Sequence, residues 1–217
     1  MAIKYIIPAR RNSKGFPFKN RKLFKYTLNN IPHNCHHNVI VTTDDEEIIK
    51  ICKTYGLKHI YRPEHLACDE ANTRDVLIHA IESVGMGKDD IVCMLYLTYP
   101  QRTWEFVTEF LDCFIHQKAK SMLCGMDPLT HPYLCMYEFE GGSMQVVHHD
   151  LYRRQDYPPV FEISHFCFAS YVSELYHLNK NLYNERTLFY NIERPIDIDY
   201  EKEFKEYEDS ISNPNGR

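Results

Sequence analysis

The 217-residue chain carries 25 Lys plus Arg against 30 Asp plus Glu, a formal net charge of −5, and 44% of its residues are hydrophobic. That length suits one domain, residues 1–217, with a full core, and leaves no room for separate cofactor and substrate domains. The acidic balance excludes a general nucleic-acid binder, and no apolar run approaches the roughly 20 residues of a membrane span.

In chain order, residues 3–8 read as a buried strand and 39–43 as a second. Residues 45–55 follow, with Ile48, Ile49 and Cys52 at helical spacing and Gly56 as the stop. Residues 57–61 make a short third strand. Thr73 is the expected N-cap of a helix carrying Val76, Leu77, Ala80, Ile81 and Val84. Residues 91–97 are the most apolar run, and their lack of alternation predicts a strand buried on both faces. Thr103 caps a helix to about Gln117, and 121–125 form another strand. This alternation predicts a doubly wound, mostly parallel α/β sheet. The rhythm breaks near Asp127. Residues 133–140 and 143–148 alternate around Gly141-Gly142, which predicts a hairpin, an excursion at about 128–159 from the α/β core. Strands at 166–171 and 189–192, a helix at 172–177 and a charged helix from about Asp199 complete the chain. Residues 213–217 are expected to fray.

The eight cysteines include no C-x-x-C pair, and most lie in apolar stretches. They read as small core residues of a reduced, cytoplasmic protein. Met1 leads into an apolar strand and then straight into charged sequence, so no signal peptide is expected.

The segment Pro8-Ala9-Arg10-Arg11-Asn12-Ser13-Lys14-Gly15-Phe16-Pro17-Phe18-Lys19-Asn20 directly follows the first strand. Ligands of open parallel sheets bind beyond the carboxyl ends of strands. Arg10, Arg11, Lys14 and Lys19 supply cations, and Ser13 and Gly15 let the backbone approach a ligand. This is chemistry for a polyphosphate, although neither the Walker A spacing nor G-x-G-x-x-G is present. Late in the chain stand Asp197 and Asp199. On an extended segment both point to one face, where two carboxylates invite a shared divalent cation; the competing reading is that Asp199 only caps the last helix.

The loop closely resembles the signature of the CMP-sialic acid synthetases (acylneuraminate cytidylyltransferases). Four further segments resemble that family's motifs in its order. They are Arg62-Pro63-Glu64-His65-Leu66-Ala67-Cys68-Asp69-Glu70-Ala71, Leu97-Thr98-Tyr99-Pro100-Gln101-Arg102-Thr103, Arg154-Gln155 before Pro158, and Ile196-Asp197-Ile198-Asp199. The resemblance implies a nucleotidyltransferase that joins CTP to the anomeric hydroxyl of a sialic-acid-like 2-keto sugar and releases pyrophosphate. By the same resemblance, Arg10, Ser13, Lys14 and Lys19 hold the triphosphate, while Asn20, Arg62, the Ala71 backbone and Thr73 read cytosine and ribose. Asp197 and Asp199 hold Mg²⁺ or Mn²⁺, and Arg10 and Lys19 join them in catalysis. An ion pair of Arg62 with Glu64 or Asp69 is the plainer alternative for that residue.

Acceptor recognition is where the chain departs from the pattern. Tyr96 stands where the family's Q-P-T-S-P-L-R-T begins with Gln, Leu97 replaces its Pro, and Glu162, Ile163, Ser164 and His165 replace the usual P-N-G. Tyr96, Arg154, Gln155 and His165 are the acceptor candidates, with His165 more often a hydrogen-bonding residue than a base. The stretch 21–38 is shorter than usual for the family, and the remaining histidines, including His36, His37, His148 and His149, read as surface. Two other readings stay open. One is a cytidylyltransferase for another acid sugar of pseudaminic, legionaminic or Kdo-like type; the other is a non-catalytic nucleotide-binding relative. The resemblance also implies a homodimer joined through the excursion, with Arg153 or Arg154 able to serve the neighbouring site.

Overall fold

The computed structural model describes residues 1–212; the terminal segment expected to fray lies outside them. The chain runs β1 (Ile3–Pro8), α1 (Lys19–Asn29), β2 (Val39–Thr43), α2 (Glu46–Thr54), β3 (Lys58–Tyr61), α3 (Glu64–Ala67), α4 (Thr73–Val84), β4 (Ile91–Met94) and α5 (Trp104–His116). It continues through β5 (Ser121–Met126), β6 (Met136–Phe139), β7 (Gly142–Gln145), β8 (Glu162–Tyr171), α6 (Val172–Leu175), β9 (Leu188–Asn191) and α7 (Glu201–Ser212).

Seven strands form one sheet in the order β3-β2-β1-β4-β8-β5-β9, and β6 and β7 form a separate hairpin. All sheet pairings are parallel except those of β8, which runs antiparallel to β4 and β5. Side chains of one strand point alternately to opposite faces, so the apolar runs feed two cores. Ile7 of β1 and Cys93 of β4 join Phe24, Ile48, Phe110 and Phe114 on one side. Ile6, Val92 and Met94 meet Leu77, Ile81 and Leu175 on the other. The predicted doubly wound architecture is therefore observed, as a mixed and mostly parallel sheet.

Several local expectations are corrected. β4 ends at Met94, not Leu97: the Leu95 N–H still donates to the Ile6 carbonyl at 2.9 Å, and the chain then turns at Leu97-Thr98 into the loop that leads to α5. Asn72, not Thr73, caps α4: its side chain accepts from the Asp75 N–H, and the Thr73 hydroxyl is engaged elsewhere. The hairpin pairs Phe139 with Gly142, so its loop is Glu140-Gly141, and Gly141 takes the left-handed φ of 92° the turn requires. β8 starts at Glu162, and the helix predicted over 172–177 is one turn, Val172–Leu175. The last helix begins at Glu201, two residues after Asp199. His36 is buried and its Nε2 lies 3.1 Å from the Ile31 carbonyl, and His149 is half-buried against Tyr133, so neither is a plain surface residue. All eight cysteines are free, and no helix among the described residues is long and apolar enough to cross a membrane.

β1 leads to β2 and β3 on one side, whereas β4 lies on its other side. The loops leaving β1 and β4 thus diverge at a topological switch point, where such sheets open a crevice.

Candidate active site

A cleft of about 340 Å³ lies at that switch point. One wall is the loop after β1. Phe18 takes a left-handed φ of 55°, an uncommon conformation outside glycine that turns the chain into α1. It leaves Lys19 and Asn20, both largely buried, in the first turn facing the cleft. Asn20 Nδ2 donates to the Arg10 carbonyl at 2.8 Å and so braces the loop from within.

Arg10, Ser13 and Lys19 line the cleft, and Lys14 lines an adjoining hollow that shares Ser13 and Asp69. Carboxylates hold the cations. Asp69 accepts from Arg10 at 2.7 Å and lies 2.9 Å from Lys14 Nζ. Those two partners hold its carboxyl below the usual range. Lys19 Nζ meets Asp199 Oδ1 at 2.6 Å.

Arg62 is buried, and burial lowers its guanidinium to about 10. It makes no ion pair with Glu64 or Asp69. Nη2 donates to the Thr42 carbonyl at 2.8 Å and Nε approaches the Thr42 hydroxyl at 3.4 Å. A guanidinium held by a carbonyl in a cleft keeps its charge available to a ligand. Ala71 and Thr73 complete that wall.

The opposite wall comes from the loop after β4 and from β8. Tyr96 hydrogen-bonds the Thr73 hydroxyl, and its ring meets His165 edge-on at 5.7 Å between centroids. Burial pushes the Tyr96 phenol up and the His165 imidazole down, which favours the neutral form of each. Arg102 is the hidden support. Fully inside the protein, it donates to the Phe166 carbonyl at 2.6 Å and the Tyr96 carbonyl at 2.9 Å, tying the loop to β8.

Asp197 and Asp199 both line the cleft, with fully buried Ile198 anchored between them. The segment belongs to no strand; it is extended, and the Ile198 N–H donates to the Thr98 carbonyl at 2.9 Å. The Asp199 carboxylate meets Lys19 rather than the N-terminus of α7, where Glu203 accepts from the N–H groups of Asp199 and Tyr200. Burial raises the Asp197 carboxyl, opposed by hydrogen bonds from Tyr99 and Thr98. No group of three or more His, Cys, Asp or Glu side chains among the described residues forms a metal cage. Two carboxylates facing a cleft fit Mg²⁺, which takes one or two of them and fills its octahedron with substrate oxygens and water.

Arg154 and Gln155 are not brought to this cleft; they sit exposed in a short 3-10 helix of the excursion. Asp69, Tyr99 and Arg102 escaped the sequence reading as site residues, though each lay inside a segment already singled out. Gly15 acts differently from expectation: a Cβ there would stand 2.8 Å from the Asp199 carbonyl oxygen and 3.0 Å from the Tyr200 ring. Its missing side chain admits the late carboxylate segment, rather than a ligand.

A sequence profile described as cytidylyltransferase matches residues 4–113. Pseudaminic acid cytidylyltransferase of Campylobacter jejuni is 31% identical over 56% of this chain and 57% of its own length. N-acylneuraminate cytidylyltransferase of Streptococcus agalactiae is 27% identical over 89% of this chain and 49% of its own length. CMP-N,N'-diacetyllegionaminic acid synthase of Legionella pneumophila is 26% identical over 92% and 91%. The chain spans about half the length of the first two (57% and 49%). Among solved structures, a CMP:2-keto-3-deoxy-manno-octonic acid synthetase complexed with CTP is similar in fold. Its TM-score is 0.68 at 12% identity, covering 99% of this chain and 100% of that one.

The Gly15 contact is directly testable. Gly15→Ala should destabilise the protein by about 1–3 kcal/mol, the usual cost of overpacking, read as a lower urea midpoint with the slope unchanged. An unchanged midpoint would show that the two segments part freely.

Proposed function

The chain belongs to the cytidylyltransferase family, and from that premise we propose that it transfers CMP from CTP to the anomeric hydroxyl of an acidic 2-keto sugar, releasing pyrophosphate. The observation that carries this reading is the meeting in one cleft of the basic loop and the late carboxylate pair. Arg10, Ser13 and Lys19, joined by Lys14 from the adjoining hollow, surround the triphosphate and neutralise the departing pyrophosphate. Asn20, Arg62, the Ala71 backbone and Thr73 take the cytidine. Asp197 and Asp199 would hold a divalent cation, which would supply positive charge to the phosphate groups.

Positioning carries the rest of the catalysis. Arg62 offers donors to cytosine O2 and N3, and a carbonyl near Ala71 accepts from N4. UTP lacks the N4 donor and protonates N3, and each mispaired buried group costs about 1–3 kcal/mol. The expected result is at least a roughly tenfold preference for CTP over UTP in kcat/KM, measured as pyrophosphate release with a panel of nine- and eight-carbon keto-acid sugars. Equal use of the two nucleotides, or no release with any acceptor, would overturn the assignment; the latter would favour a nucleotide-binding relative without catalysis.

The named relatives act on different acid sugars, and Tyr96 decides which acceptor this chain prefers. Its hydroxyl is spent on Thr73 and its ring abuts His165, so it cannot offer the paired donor and acceptor of a Gln amide. The reading favours an acid sugar other than N-acetylneuraminate.

Removing the metal tests the carboxylates. Asp197→Ala and Asp199→Ala should each lower kcat on the order of 10²-fold, and EDTA should stop turnover. Full activity in EDTA would remove the cation from the mechanism.

The excursion is read as a homodimer interface. Met136, Tyr137, Phe139 and Met144 of the hairpin are each more than half exposed, and an isolated hairpin needs a second surface to be stable. The exposed Arg154 then serves the acceptor of the neighbouring subunit. Sedimentation at micromolar concentration should give twice 25.8 kDa. Activity should also return when Arg154→Ala and Asp197→Ala chains are mixed. A fully active monomer would refute the pairing.

A further inference from the structure

The turn between β4 and α5 makes three bonds to the segment that carries the late carboxylates. The Thr98 carbonyl accepts from the Ile198 N–H at 2.9 Å. Gln101 Nε2 donates to the Ile196 carbonyl at 2.8 Å. Both set the path of the backbone. The third is of another kind: the Tyr99 hydroxyl donates to Asp197 Oδ2 at 2.8 Å, and so acts on the carboxylate itself.

Tyr99 suits that task. Its side chain is 6% exposed, and its ring meets Phe166 edge-on with centroids 5.3 Å apart. Phe166 is in turn the residue whose carbonyl Arg102 holds. The hydroxyl therefore stands at the end of a packed lever with little freedom. Asp197 gains from such a partner, because a second carboxylate, Asp199, lines the same cleft and takes Lys19 for itself. Tyr99 is the closest donor to this carboxylate and fixes the position of Oδ2, which leaves Oδ1 on the side that a ligand can meet. A serine, which stands here in the pattern Q-P-T-S-P-L-R-T, is shorter by a phenyl ring and cannot reach Asp197 in the same way.

We propose that Tyr99 is a positioning residue of the divalent-cation site, holding Asp197 by one oxygen so that the other meets the cation. This rests on the cation reading above. The test is Mn²⁺ binding to the full chain in the presence of CTP, followed by electron paramagnetic resonance of the free ion. The wild type, Tyr99→Phe and Asp197→Ala are compared, since Phe keeps the ring and its packing. Tyr99→Phe should weaken Mn²⁺ binding by about 10-fold or more, the usual scale for removing a hydrogen bond behind a metal ligand. Its affinity for CTP in EDTA and its thermal midpoint should match the wild type, whereas a merely structural role would move both. Loss of binding in Asp197→Ala with wild-type binding in Tyr99→Phe overturns the proposal and leaves the cation reading intact. Wild-type binding in both variants overturns the cation reading, and the proposal with it.

Discussion

Opposite charges from distant parts of the chain hold the cleft together. Asp69 takes Arg10 and Lys14, and Asp199 takes Lys19. Left unpaired, these cations would repel one another and splay the loop after β1. The Asp69 pairs are about a third or more exposed at each partner, so their worth to stability is small and their effect is on position. On the proposed function, CTP and its cation enter as an exchange. Phosphate oxygens would replace carboxylates around the loop, and a cation would replace Lys19 on Asp199. Binding of either then favours the other, as reciprocal linkage requires.

The sheet makes this pairing possible. β1 and β4 sit side by side, with Ile6 opposite Met94, and their loops leave in different directions from one edge of the core. The loop after β4 would be free to drift, but two side chains restrain it. Arg102 binds the Tyr96 and Phe166 carbonyls from inside the protein, and Asn30 donates to the carbonyls of Pro100 and Arg102. A guanidinium so deeply buried with no carboxylate beside it is costly. Here the carbonyl oxygens of two walls share its charge, and the walls are thereby fixed to each other.

Much of this was legible in the sequence because it is local. The apolar run at 91–97 announced a strand buried on both faces, which 91–94 forms, and Thr103 marked the start of α5 by chemistry that acts over a few residues. The basic loop and the Asp197-Ile198-Asp199 alternation pointed to phosphate and metal for the same reason. What stayed hidden is long-range. Nothing in the spacing of Asp69 says that it will cover two cations of the first loop, and nothing near Tyr99 says that it will reach Asp197. Arg102 lay inside a motif segment, but its supporting role was hidden because its partners are carbonyls, which leave no trace in sequence. Arg154 and Gln155 matched a motif, but the excursion that carries them leaves them exposed and outside the lining of their own cleft.

The contact at Gly15 bears on the order in which the molecule is completed. Gly15 lies against Asp199 and Tyr200, and Lys19 is bonded to a residue 180 positions later. During synthesis at roughly 5–20 residues per second, the basic loop emerges on the order of 10 s before its carboxylate partner exists. The strands β1, β2 and β4 can pair in that interval, because their partners are already present. The cleft cannot close so early, because such a non-local contact waits for the last part of the chain. A nascent chain would therefore hold much of its parallel sheet, with Asp69 already beside Arg10 and Lys14, while Lys19 still waited for Asp199 and the cleft stayed open on that side until the final segment docked.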